Sequence, residues 1–180
     1  MPKLSKQEWE AQQNQYTARR HEGFRRAAEV VAAAFREIPE VRAVALFGSV
    51  AAPPRLETTR RGWQLLHHAK DVDLAVWIDG LDDLAALKRA RVQALNKLLA
   101  EQRIGVAHHQ VDVFLIEPET NRYLGRLCGF AACPKGHADC GVPGCGRAPF
   151  LKQHEDFEFY ADALGQDRLI NLYQRQGGDR

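Results

Sequence analysis

Asp71-Val72-Asp73-Leu74-Ala75-Val76-Trp77-Ile78 is the stretch that decides the fold. Val72, Leu74, Val76 and Ile78 alternate with Asp71, Asp73, Ala75 and Trp77, and a period of two predicts a strand with two different faces. Asp71 and Asp73 then point the same way from an exposed sheet face, about 7 Å apart along the strand. Carboxylates held side by side raise each other's pKa unless a cation lies between them, so the pair asks for a metal.

Two flanking stretches repeat the theme. Upstream, Val41-Arg42-Ala43-Val44-Ala45-Leu46-Phe47 reads as a strand running into Gly48-Ser49, where glycine permits close approach of backbone to ligand and serine adds a hydroxyl. Downstream, Val111-Asp112-Val113-Phe114-Leu115-Ile116 is an apolar strand interrupted by one acid. A third carboxylate on a neighbouring strand completes a set of hard oxygen donors suited to Mg²⁺.

A strand ending in Gly-Ser, a strand opening Asp-x-Asp, then a helix and a third strand with an isolated Asp resembles the nucleotidyltransferase superfamily. That superfamily includes DNA polymerase β, the aminoglycoside nucleotidyltransferases and the minimal nucleotidyltransferases of bacteria. The resemblance covers roughly residues 41 to 116, and the order of the motifs, each on its own strand, carries it. It implies an α+β fold with a small mixed β-sheet flanked by helices. It also implies transfer of a nucleoside monophosphate from a nucleoside triphosphate such as ATP to an acceptor hydroxyl, with release of pyrophosphate. Asp71, Asp73 and Asp112 would hold two Mg²⁺ ions, Asp112 would accept the acceptor's proton, and Gly48 and Ser49 would bind the triphosphate.

The chain departs from the family between the first two motifs. Gly48 and Asp71 stand 23 positions apart, farther than is usual, and the intervening residues 52–70 carry Arg55, Arg60, Arg61 and Lys70 against Glu57. Two readings stay open for this insertion: a phosphate-holding cover for the site, or a solvated loop. His67 and His68 lie within it, close to Asp71.

With 180 residues, 45% hydrophobic and 27% charged, the chain has the length and composition for one domain with a real core. A net charge of +2 does not by itself argue for nucleic-acid binding. No apolar run reaches signal-peptide or membrane-span length, so a cytoplasmic location without membrane partners is expected. Three regions follow: an N-terminal helical arm at 1–40, a nucleotidyltransferase-like core at 41–126, and a cysteine-rich loop with a C-terminal helix at 127–180.

In the arm, Ser5 and Glu8 stand in capping-box spacing at the start of a helix running to about residue 37. Phe24, Ala28, Val31 and Phe35 give its second half an apolar face, and Gly23 is a candidate break between the halves. Residues 81–103 read as a crossover helix with Leu84, Leu87, Ala90, Ala94, Leu95 and Leu98 on one side and Lys88, Arg89, Arg91 and Lys97 elsewhere. By parity, His108, Gln110 and Asp112 share one face of the third strand. Phe157, Tyr160, Ala161 and Leu164 are spaced for a further helix, followed by Leu169, Ile170, Leu172 and Tyr173.

Cys128, Cys133, Cys140 and Cys145 form a separate signal, with gaps of four, six and four residues amid glycines and prolines. A segment so rich in both cannot build a core and needs a staple. Four thiolates in a cytoplasmic chain match the closed coordination of structural Zn²⁺, with His137 as an alternative ligand.

The leading expectation is therefore a Mg²⁺-dependent enzyme acting on a small molecule, an RNA end or a protein side chain. One alternative is an antitoxin-like or catalytically inactive protein of the same fold that binds a partner protein through its helices or zinc loop. Another is a zinc-stabilised binding module with an inert Asp face.

Overall fold

Ser5 starts the first helix as its spacing predicts. Its hydroxyl accepts the backbone N–H of Glu8 at 3.3 Å, and the Glu8 carboxylate accepts the Ser5 N–H at 2.8 Å, so the first orphan donors of the helix are satisfied reciprocally. In the computed structural model, which describes residues 4–129, 148–152 and 168–176, helix α1 then runs unbroken over Lys6–Phe35. Gly23 does not break it. That residue is buried against Ile104, where an added Cβ would come within 3.3 Å of the Ile104 side chain, so its glycine serves close packing.

Three strands appear where alternation predicts them: β1 (Val41–Phe47), β4 (Val72–Ile78) and β5 (Val111–Ile116). Between β1 and β4 the insertion forms a hairpin of β2 (Leu56–Thr58) and β3 (Gln64–Leu66). After β4, Asp83 caps helix α2 (Leu84–Gln102) by accepting the Ala86 N–H, and α2 returns the chain to β5. Strands β6 (Tyr123–Leu127), β7 (Leu151–Lys152) and β8 (Leu169–Gln174) complete the order.

Six strands make one mixed sheet in the order β7-β6-β5-β4-β1-β8. Only β4 and β5 are parallel, as a pair joined by a helical crossover must be, and the other neighbours are antiparallel. The α+β class and the mixed sheet are thus as expected. Strands β6, β7 and β8 are additions to the expectation, and Leu169, Ile170, Leu172 and Tyr173 lie on β8, beside β1.

Both helices share one core with one sheet face. Phe24, Ala28, Val31 and Phe35 of α1 and Leu84, Leu87, Leu95 and Leu98 of α2 pack with Val44, Leu46, Leu74, Val76, Val113 and Leu115. Each such side chain other than Ala28 contributes roughly 1.5–3 kcal/mol on burial. The opposite face carries Phe47, Ala75, Phe114 and Ile116, with the Phe47 and Phe114 rings edge to face at 5.2 Å.

Cys133, Cys140, Cys145 and the helix expected around Phe157 lie outside the described residues. Among the described residues no helix is long and apolar enough to cross a membrane.

Candidate active site

Register brings the sequence motifs together. Phe47 at the end of β1 pairs with Asp73, and Asp73 pairs with Asp112 across the parallel β4–β5 ladder. Because β1 runs opposite to β4 and β5, its C-terminal Gly48 turn reaches the same end of the sheet as both carboxylates. Asp73 and Asp112 are each the second residue of their strand, alternate with the core residues Val72, Leu74, Val111 and Val113, and stand on the face away from the helices.

Gly48 and Ser49 open a single 3-10 turn, Gly48–Val50. Gly48 has φ +74, in the left-handed region, and a Cβ there would lie 2.5 Å from Asp73 Oδ2. Glycine is therefore required twice over, by backbone conformation and by the carboxylate against it. Ser49 is exposed in the turn.

The three acids differ in setting. Asp71 precedes β4 and is exposed, whereas Asp73 and Asp112 are half-buried. The expected open strand face for the Asp71–Asp73 pair is thus corrected: Asp71 lies just outside β4 and is exposed, whereas Asp73 is largely out of water. Burial, then the charges of Asp112 and Asp71, push the Asp73 carboxyl up to about 7, against a smaller lowering by Arg126.

Two arginines complete the site. Arg126 of β6 donates from Nη1 to Asp112 Oδ2 at 2.8 Å. Arg91 of α2 is 1% exposed and donates from Nη1 to the Val111 carbonyl at 2.9 Å, while its Nε and Nη2 have no hydrogen-bond partner among the described residues. Burial pulls its pKa down, and Asp112 and Cys128 oppose that pull. The helical wheel had put Arg91 outside the apolar face, yet its guanidinium turns inward to the start of β5. No residue type near 126 marks a partner for Asp112 in the sequence, since that partnership arises from the β5–β6 register, Phe114 opposite Arg126.

Three other expectations resolve differently. His108 and Gln110 lie in a 3-10 turn, His108–Gln110, before β5, so they do not continue the strand face of Asp112. The insertion is a hairpin seated on the N-terminal half of α1, held by Asn14, Glu10 and Lys6, instead of a free loop. His67 pairs with Glu57 at 3.1 Å within it.

Among the described residues no three His, Cys, Asp or Glu side chains converge closely enough to enclose a metal ion. The donor set still fits Mg²⁺. This ion is commonly held by one or two carboxylates, with substrate phosphates and water completing its shell. Asp73 and Asp112, adjacent in register and destabilised by mutual repulsion at Asp73, are such a pair. Zinc is testable here only at Cys128, which is buried with a free thiol and whose N–H donates to the Phe150 carbonyl at 2.7 Å. The chain matches no protein-family model, no curated protein and no solved structure.

Proposed function

We propose that the carboxylate end of the sheet transfers a nucleoside monophosphate from a nucleoside triphosphate to an acceptor hydroxyl. The single observation that carries this reading is Asp73 in register with Asp112 beside the left-handed Gly48 turn. Asp73 and Asp112 would hold Mg²⁺, with Asp71 at the margin, and the bound ion would neutralise triphosphate oxygens.

The chain's own groups divide the remaining work. Backbone N–H groups of the Gly48–Val50 turn and the Ser49 hydroxyl are suited to bind terminal phosphates. As the acceptor oxygen bonds to the α-phosphorus, the bond from that phosphorus to the bridging oxygen breaks and pyrophosphate leaves. The acceptor's proton passes to Asp112, which Arg126 orients. Positioning and charge neutralisation supply most of the rate in such chemistry.

Thermal unfolding with each nucleoside triphosphate, with and without Mg²⁺, tests this reading. Ligand at ~100 times its Kd adds about 2.7 kcal/mol, roughly 5–10 °C for a chain of this size. The expected rise needs Mg²⁺ and disappears in Asp73→Asn. No rise with any triphosphate at millimolar concentration would sink it.

A second proposal concerns Cys128, Cys133, Cys140 and Cys145 as ligands of a structural Zn²⁺. Beyond their spacing, support comes from the base of the segment. Strands β6 and β7 pair Arg126 with Lys152 and Leu127 with Leu151, so its two flanks meet beside Cys128.

A further inference from the structure

Where α1 passes the connection between α2 and β5, a groove of about 670 Å³ opens. Gly23 lines it, packed closely on Ile104, where an added Cβ would lie 3.3 Å from the side chain. Arg19, Arg20 and Arg103 line it against one acid, Glu22. Among the described residues no carboxylate forms an ion pair with any of these arginines.

We propose that this groove binds the phosphate backbone of a single-stranded nucleic acid. Planar guanidinium groups match phosphate oxygens bidentately, and three of them along one groove form a track for successive phosphates. Arg20 lies over the Phe24 ring at 5.1 Å, which restrains its guanidinium at the groove wall. Tyr16 lines the same groove with 57% of its surface exposed, a free aromatic face on which a base can stack. An acidic peptide would use the charges but not that ring.

Arg103 adds an independent sign. It ends α2 in the left-handed conformation, φ 57 and ψ 25, where glycine is favoured and any Cβ is disfavoured. At that position the chain carries an arginine, and its side chain lines the groove. Gln110 also lines the groove, in the turn two residues before Asp112, so the groove borders the start of β5. As an acceptor, the nucleic acid depends on the proposed transfer reaction; its binding does not.

Fluorescence anisotropy with a labelled single-stranded 12-mer RNA, without triphosphate or Mg²⁺, tests the proposal on the full chain. Binding near ~10 µM at moderate salt is expected, weakening as salt rises. Arg19→Ala and Arg103→Gly should each weaken it at least about fivefold and reduce the log–log salt slope by about one. Arg103→Gly keeps or raises the melting temperature, since glycine suits the left-handed position, so its loss of binding is not misfolding. The proposal is overturned by no binding at ~100 µM protein, or by an equal loss in Arg36→Ala, a surface arginine at the other end of α1. Equal affinity for the duplex, or equal competition by an oligoglutamate of the same charge, overturns it too. Such failures leave the Mg²⁺-dependent thermal shift untouched, which separates this inference from the transfer reading.

Discussion

Asp73 carries opposite demands. Its place between Asp112, Asp71 and apolar neighbours raises its carboxyl from an ordinary 3.8 to about 7, so the folded chain holds its proton more tightly than the unfolded chain does. For an acid raised in this way, the stability is fully present below about 3.8 and is lost as pH rises through about 7. Asp73→Asn removes that loss. In chelator at pH 8, denaturant unfolding should show the variant more stable than wild type by on the order of 2–4 kcal/mol, with the gap closing towards pH 4. A variant less stable at pH 8 would mean that the wild-type carboxylate is ionised and well paired. The two acids of the 71–73 pair were legible as strand neighbours from their spacing of two. Their inequality was not, because Phe47 and Asp112 come beside Asp73 only through strand register.

The hairpin of β2 and β3 shows what an element borrows from its support. Two three-residue strands are marginal alone, and here Asn14 of α1 acts as an extra edge: its amide donates to the Gln64 carbonyl at 2.9 Å and accepts the Leu66 N–H at 2.7 Å. Trp9 meets Trp63 edge to face at 4.4 Å nearby. The polar first half of α1, with little to bury, is thereby accounted for as a platform. Asn14→Ala leaves the main core intact and frees the hairpin, costing about 1–2 kcal/mol locally. Trypsin, which cleaves after Arg60 and Arg61 in the turn, should cut the variant on the order of tenfold faster, while Gln15→Ala, altered at an exposed position, is cut like wild type. Equal rates for Asn14→Ala and wild type would show that the hairpin does not depend on this helix. Capping of α1 was readable from Ser5 and Glu8 because caps are local. The docking of the hairpin was not, since its partners lie some fifty residues away.

Across the whole molecule, distant segments close the sheet. Strand β8 pairs with β1, and Arg175 reaches the Pro39 carbonyl at 2.6 Å, while β7 pairs with β6 at the base of the cysteine segment. If that segment binds Zn²⁺, purified chain carries about one zinc per molecule, and chelation lowers the melting temperature by several degrees, as does Cys128→Ser. Metal-free chain with unchanged unfolding would end that proposal. The sequence alone determined the elements whose signals are local: a capped first helix, a second helix, and three alternating strands that carry Asp73 and Asp112. Side-chain period and cap chemistry act within a few residues, so they survive translation into pattern. Only the tertiary structure decided that Arg126 faces Asp112, that Arg91 turns inward, and that three arginines line one groove. Those neighbourhoods are set by strand register and helix packing between residues far apart in the chain, and no local pattern encodes them.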